Sequence, residues 1–454
     1  MSTIRMPEDV HARVHHYLFS QPGEHFAFLR ARVSVPAGTP IFLVHDAALI
    51  PDGDVTVSKH GWELDPNVLV GIVNEAIRAG DALIEVHNHG GSTPRPSRLD
   101  REQLAEFVPY MLDSLNGRPY AMTVWGDSTI YGESFRPGDT ATAVRSITAT
   151  GVSLKQLVSR DDDRHPISPV FNRQQPWFTD EGQRALARLR IAVVGAGGTG
   201  SQVLLQLPYL GARDIAIIDH DTVDTTSLNR TVTATLADLD THKGIAARRV
   251  IRSIAPDAKV TLRTSDLREA DTLDLLKAVD VIIGCVDNDG ARLVLNDLAV
   301  AYAIPYLDLG VGIDAHDGNL REAGGRLAAV VPGGPCLLCM DEIDTAEARY
   351  FLASPEQQAE QRDRRYITGI DVPAPSVVSL NGSLASAALN ELALYISGQR
   401  PINPLTEFDL LGTARSVSAQ WAVPQRVARN SGCTTCATAG RGDAANVDRY
   451  RLPR

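Results

Sequence analysis

His87 and His89 stand two residues apart, and after seven further residues come Ser97 and Asp100, spaced S-x-x-D. Residues 82–89 alternate as a strand does. Alternate residues of a strand face one side, so both imidazoles are expected to share a face. Two imidazoles and a carboxylate form a three-ligand Zn²⁺ site with an open position, the arrangement of a catalytic zinc. Such a metal lowers the pKa of bound water and polarises a carbonyl. A plainer reading uses the same residues. Ser97 to Asp100 is also a capping box ahead of a helix, and two histidines at a strand end serve as ordinary polar groups.

A second constellation begins at Gly195-Ala196-Gly197-Gly198-Thr199-Gly200. It follows an apolar run and opens a helical pattern. Glycine permits the tight turn and close backbone approach, and a helix N-terminus attracts phosphate. Asp219 ends the next strand pattern, where an acid reaches ribose hydroxyls. Alone, this much fits a dinucleotide-dependent dehydrogenase equally well. The surrounding residues are Asp221, Leu228-Asn229-Arg230, Lys243 and Asp287. Hydride transfer needs no ring of cations and carboxylates. Adenylation does: Arg230 and Lys243 neutralise triphosphate charge, and Asp287 holds Mg²⁺.

The five cysteines divide four to one. Cys336 with Cys339 and Cys433 with Cys436 form two C-x-x-C pairs, the thiolates a tetrahedral structural zinc requires. Redox pairs are the alternative. Cys285 falls on a strand pattern before Asp287 and reads as a small buried residue, as free cysteines commonly are.

The elements that must position these groups are legible in outline. Leu99 to Leu115 has helical spacing. Arg190–Val194, Asp214–Asp219 and Val279–Cys285 read as strands, Ser201–Tyr209 and Asp289–Tyr302 as helices. That succession implies a parallel, doubly wound α/β sheet. The chain of 454 residues suggests two or three domains, at about 150 residues each. A charged, Pro-flanked stretch at residues 161–166 marks a connection. The expected division is a first domain over 1–150, a linker and arm over 151–175, a second domain over 176–440 and a loose tail over 441–454.

Composition sets outer limits. The net charge of −11 argues against non-specific binding to nucleic acid or anionic membrane. No apolar run is long enough to span a bilayer. Met1 to Val10 lacks the apolar core of a secretory signal, and a cytoplasmic location is expected.

At His87, His89, Ser97 and Asp100 the first domain resembles the JAMM (MPN+) metalloisopeptidases. The resemblance covers about residues 1–135. It implies His87, His89 and Asp100 as zinc ligands, Ser97 steadying the developing oxyanion, and an upstream glutamate accepting a proton from zinc-bound water. Glu24 matches that glutamate best, and Glu85 is its rival. The chain departs from the family where Ala27, Ala31 and Gly90 replace the usual glycines and proline.

Residues 166–440 resemble the ThiF/MoeB/ubiquitin-activating superfamily. The resemblance rests on Asn172-Arg173-Gln174, Glu181-Gly182-Gln183, the glycine loop, Asp219, Leu228-Asn229-Arg230 with Lys243, Asp287, and both C-x-x-C pairs. It implies that Gly195, Gly197, Gly198, Gly200, Asp219, Asp221 and Asn229 surround ATP, with Arg230 and Lys243 on the phosphates and Asp287 on Mg²⁺. It also implies that Arg173 reaches a partner subunit's site in a homodimer. The usual Ser-Asn before Leu-Asn-Arg is Thr226-Ser227 here, and the usual Gln after the arginine is Thr231. Ubiquitin-activating members carry a thioester cysteine between the zinc pairs; residues 340–432 contain none.

The expected protein is bifunctional. It adenylates the C-terminal glycine of a ubiquitin-like or sulfur-carrier protein and cleaves that protein with a zinc-activated water. A conjugating enzyme or sulfur donor would take the activated group. The alternative is an adenylyltransferase whose first domain only binds the tail.

Overall fold

A computed structural model describes residues 1–58, 61–89, 94–159, 166–363, 375–411 and 420–452. The connection at 160–165 and Gly90 lie outside the described residues. The chain forms two compact units, residues 1–166 with 440–444, and residues 167–439 with 445–454. Among the described residues no helix is long and apolar enough to cross a membrane.

The first unit is built on strands β1 (Ser2–Pro7), β2 (Phe26–Ser34), β3 (Ile41–Ile50), β6 (Ala82–Asn88), β7 (Tyr120–Trp125), β8 (Ile130–Phe135), β9 (Thr142–Thr150) and β10 (Leu154–Val158). A separate hairpin joins β4 (Val55–Ser58) to β5 (Gly61–Leu64). The order in the main sheet is β1-β3-β2-β6-β7-β8-β9-β10, and β1 also pairs with β9, so the ladder returns to its start. The period-two rule sorts β6. Ala82, Ile84 and Val86 enter a core with helix Glu8–Phe19. Leu83 enters the opposite core, where helices Pro66–Ala79 and Arg98–Ser114 contribute Leu69, Ile72 and Met111, and Leu115 follows at the end of the second helix. Glu85 and His87 fall on that second face by the same alternation.

The second unit holds β11 (Arg190–Val194), β12 (Asp214–Ile218), β13 (Lys259–Arg263), β14 (Val281–Gly284), β15 (Tyr306–His316), β16 (Asn319–Val330), β17 (Leu405–Asp409) and β18 (Gln420–Gln425), in the order β13-β12-β11-β14-β15-β16-β17-β18. Pairings from β13 through β15 are parallel. Those from β15 through β18 are antiparallel. The sheet is therefore mixed rather than parallel throughout. Helical crossovers serve the first half, and β15 turns directly into β16 at Asp317 and Gly318, both with positive φ. Ile191, Val193, Ile215, Ile217, Val281 and Ile283 are fully buried, as expected for strands covered on both faces. Strand order reverses between β11 and β14, the place where such sheets bind ligands.

Two boundaries differ from expectation. Residues 154–158 form β10 and pair with β9; Leu154 and Leu157 are buried there, so this stretch belongs to the first unit and not to a linker. Helix Gln175–Arg188 also begins inside the expected arm. The expected tail is not loose over its described residues, 441–452. Val447 is buried, and Lys277, only 2% exposed, donates to Asp448 at 2.7 Å. Ion pairs made by residues far apart in sequence, not periodicity, hold this segment.

Candidate active sites

In the first unit, β6 delivers His87 and ends just before His89, and the N-terminus of helix Arg98–Ser114 delivers Asp100. One ligand atom from each of these three residues lies within 4.8 Å of the others. His89 Nε2 is 3.2 Å from Asp100 Oδ2, and His87 Nε2 is 4.0 Å from the same oxygen. The capping box is present too. Asp100 N–H donates to Ser97 Oγ at 3.1 Å, and Ser97 N–H donates to Asp100 Oδ2 at 2.5 Å. The two readings of this motif are therefore not exclusive: the cap is what holds the carboxylate toward the histidines. Burial pushes the Asp100 carboxyl up, but the bonds from His89 and Ser97 pull it down to about 2. The bond to Asp100 raises the His89 imidazole, and the charge of Glu24 adds to this.

The donor set fits a zinc ion. His87 is buried, and among the described residues neither ring nitrogen has a hydrogen-bond partner. An orphaned buried imidazole is costly, and a metal would satisfy Nε2. On the other side of the ring, Glu85 Oε1 stands 3.3 Å from Nδ1, an ion-pair approach without hydrogen-bond alignment. Glu85 is buried, and its other oxygen accepts from Tyr120 Oη at 2.5 Å. It therefore sits behind His87, away from Asp100. Glu24 is exposed, two residues ahead of the first residue of β2. In β2 Phe26 pairs with His87, so the same antiparallel register carried two residues further sets Glu24 opposite His89.

In the second unit the glycine turn sits at the reversal of strand order. Gly195 has φ +91°, and a Cβ there would meet Cys285 O at 2.5 Å. A Cβ on Gly200 would stand 1.8 Å from Gly195 O. Beside Gly197 there is open space, and helix Gly198–Leu210 begins after it. Asp219 is buried. It accepts from Ala196 N–H at 2.5 Å and from Asp221 N–H at 2.8 Å. Burial pushes its carboxyl up despite those bonds. Asp221 accepts from Lys243 Nζ at 2.8 Å, so this cation is already partnered. Arg230 donates to Thr226 O at 2.7 Å and approaches Asn229 Oδ1 at 3.4 Å. Its Cδ lies 3.4 Å from where a Gly198 Cβ would stand, beside the turn. The departures at 226–227 have a local role: Ser227 is buried and closes a turn on Asp224. Asp287 is exposed after β14, with Asn288 Nδ2 at 3.3 Å. Arg173 is exposed and makes no hydrogen bond or ion pair among the described residues; nothing brings it to the turn of its own chain.

Cys285 is half-buried rather than fully buried. Burial, with Asp308 nearby, pushes its thiol far above the ordinary range, the opposite of an activated nucleophile.

The four remaining cysteines meet. Cys336 Sγ is 3.6 Å from Cys433 Sγ, and Cys339 Sγ is 3.6 Å from Cys436 Sγ. The pair Cys336–Cys339 is 3.8 Å apart. Zn–S bonds of about 2.3 Å in a tetrahedron put sulfurs about 3.8 Å from one another, so the spacing suits zinc. No disulfide joins them.

Three groups escaped the sequence reading. Asn381, buried on helix Val378–Ser397, lies against the glycine turn, 3.3 Å from Thr199 Oγ1; a Cβ on Gly198 would reach its Nδ2 at 2.3 Å. Its distance along the chain left no local signal. Asp308 on β15 is fully buried and gathers Tyr306 Oη at 2.6 Å, Arg326 at 2.5 Å and Arg292 at 3.4 Å. Asn88 lies between the two histidines, and the H-x-H spacing carries no signal for the middle residue.

A Rossmann-like α/β domain with a glycine phosphate turn at the strand-order reversal, carboxylates and cations around it, and a four-cysteine cluster defines a nucleotide-handling class. The chain belongs to the ThiF family, whose model matches residues 171–434. That match lies within the second unit. The chain is 30% identical over 298 residues to the adenylyltransferase and sulfurtransferase MOCS3 of Arabidopsis thaliana, covering 63% of this chain and 58% of that protein. It is 38% identical over 127 residues to the probable adenylyltransferase/sulfurtransferase MoeZ of Mycobacterium tuberculosis, 28% of this chain and 32% of that one. It is 29% identical over 160 residues to the SAMP-activating enzyme E1 of Haloferax volcanii, 35% and 56%. The chain thus spans less than two thirds of these curated relatives. Among solved structures, E. coli MccB with ATP is similar at 19% identity and a TM-score of 0.44, over 60% of this chain and 75% of that one.

Proposed function

We propose that the second unit adenylates the C-terminal glycine of a ubiquitin-like or sulfur-carrier protein. The observation that carries this is the charge arrangement around the glycine turn, supported by family membership and by relatives named as adenylyltransferases. ATP would lay its phosphates on the open side at Gly197, where helix N–H groups point outward. Arg230 and Lys243 would face the phosphate charge, and Asp287 would hold Mg²⁺. A carboxylate oxygen of the tail attacks the α-phosphorus; the bond to the bridging oxygen breaks, and pyrophosphate leaves. The unit's contribution is positioning and charge neutralisation. Arg173 would serve a partner subunit's site in a homodimer. With the Cys285 thiol half-buried and pushed up, away from ionisation, the activated carboxyl would pass to an external acceptor, a sulfur donor or a conjugating enzyme.

The first unit is proposed as a zinc peptidase acting on the same tail. Zinc held by His87, His89 and Asp100 would supply an activated water and polarise the scissile carbonyl. Glu24 would take the proton, and Ser97 would face the developing oxyanion. Tethering both units raises the effective concentration of one site near the other.

The test is ATP–pyrophosphate exchange with carrier proteins ending in Gly-Gly, together with zinc analysis. Asp287→Ala should abolish exchange, and His87→Ala should leave it. Exchange indifferent to Asp287 would sink the adenylation reading. Two zinc ions per chain, one lost in His87→Ala/His89→Ala, are expected. A single zinc would make the first unit a tail-binding module.

A further inference from the structure

Asn88 is the residue between the two histidines, and strand alternation turns its side chain away from both. It is 3% exposed, and a buried amide needs partners. Its Oδ1 accepts from His25 N–H at 2.8 Å, and its Nδ2 donates to Gly23 O at 3.1 Å. These two backbone groups flank Glu24 on either side. One side chain therefore grips the chain immediately before and immediately after the exposed carboxylate. The grip needs an unusual bend, and Gly23 supplies it with φ +130°. The same segment is held from its other side. His25 is buried, its Nδ1 lies 2.9 Å from Asp52 Oδ1, and its Nε2 lies 3.3 Å from Gln21 O.

We propose that Asn88 is a positioning residue that locks Glu24 against the metal strand, so that the carboxylate meets water held beside His89. The proposal rests on the zinc-peptidase reading of the first unit. Its logic is geometric. Glu24 is solvent-exposed, and among the described residues no hydrogen bond or ion pair fixes its carboxylate. A general base must stay within hydrogen-bond reach of the proton it takes, and about 1 Å of misplacement costs on the order of 100-fold in rate. The continuation of the β2–β6 register brings Glu24 opposite His89, but the pairing of β2 itself starts only at Phe26. Asn88 replaces the missing ladder bonds with two side-chain bonds.

The test uses the full chain, loaded with zinc, and three variants. Amide exchange reads the clamp directly. His25 N–H should be protected in the wild type and should exchange at least about tenfold faster in Asn88→Ala. Asn88→Asp keeps the acceptor for His25 and loses the donor to Gly23, so His25 should stay protected. Cleavage is read with a fluorogenic amide of a peptide ending in Gly-Gly. Asn88→Ala should lower kcat about 100-fold, with KM and zinc stoichiometry unchanged, and Glu24→Gln should lower it at least as far. Asn88→Asp should fall between. An unprotected His25 in the wild type, or wild-type kcat in Asn88→Ala, overturns the proposal while leaving the peptidase reading intact. A wild-type protein that binds one zinc and cleaves nothing overturns both.

Discussion

Thr435 Oγ1 donates a 2.8 Å hydrogen bond to Asp297 Oδ1. Thr435 lies between Cys433 and Cys436, and Asp297 lies on helix Asp289–Ala301. The neighbouring Asn296 accepts from the backbone of Leu337, beside Cys336, at 2.9 Å. The helix thus grips both cysteine pairs from adjacent positions. Asp297 also accepts from Arg449 at 2.6 Å and from Tyr450 at 2.7 Å, which ties the chain's last turn to the same carboxylate. Asp297→Ala leaves Thr435, Arg449 and Tyr450 without this partner. Arg449 is 44% exposed and is hydrated without this partner, so the loss is that of hydrogen bonds to a charged acceptor, about 2 kcal/mol. Urea unfolding should show a lower midpoint, and a chelator should strip zinc faster. An unchanged midpoint and stripping rate would make the contact incidental.

Gly197 and Gly200 should respond oppositely to alanine. In Gly200→Ala the new Cβ meets backbone at 1.8 Å, and backbone cannot step aside cheaply. That variant should lose several kcal/mol, a large part of a typical domain's stability, and be poorly folded. In Gly197→Ala the Cβ enters open space. That protein should melt normally yet bind ATP at least about tenfold more weakly, because the methyl occupies the phosphate approach. Melting curves and nucleotide titration separate the two. Equal melting temperatures would contradict the described turn.

Asp308 should be the costliest single carboxylate to remove from the second unit. Arg292, Arg326 and Tyr306 converge on it. Asp308→Ala takes one carboxylate from each of two largely buried guanidiniums, leaving Asp289 on Arg292 and Glu342 on Arg326, and a loss of about 2–3 kcal/mol is expected. The measurement is equilibrium denaturation of the full chain. A loss below 1 kcal/mol would mean that water or Asp289, 2.7 Å from Arg292, takes over the role.

Acid should weaken the first unit through His11. The ring stacks on Trp125 at 5.5 Å. Burial, with Lys155 and His15 nearby, lowers its pKa from 6.5 to about 4. Above pH 6.5 folded and unfolded forms are both neutral, and the group is silent. Below it the unfolded chain takes up a proton that the folded one refuses. Stability should therefore fall by about 1.4 kcal/mol per pH unit between 6.5 and 4 and level off below that. His11→Phe should remove this slope. Parallel pH dependence in both proteins would refute the assignment.

The sequence made some of this legible and hid the rest for identifiable reasons. Histidines two apart, glycines in a turn and C-x-x-C pairs are local, and spacing alone sets their mutual geometry. Arg190–Val194 appears as read, because a strand buried on both faces is an uninterrupted apolar run. The antiparallel half of the second sheet was not read, since β16 begins with polar, exposed residues. Asn381 and Asp308 act across long sequence separations. Asn88 carries no signal of its own within H-x-H, because its partners, His25 N–H and Gly23 O, lie more than sixty residues earlier.

The sulfur cluster also has a temporal side. Cys336 and Cys433 are 97 residues apart. At about 5–20 residues per second of synthesis, the first pair of thiols waits roughly 5–20 s for the second. During that interval Cys336 and Cys339 have no mates, and β16 lacks β17 along its edge. The newborn chain therefore passes through a stage open to oxidation, to a wrong metal, or to strand pairing with a neighbour. That stage ends only when Cys433 and Cys436 have left the ribosome.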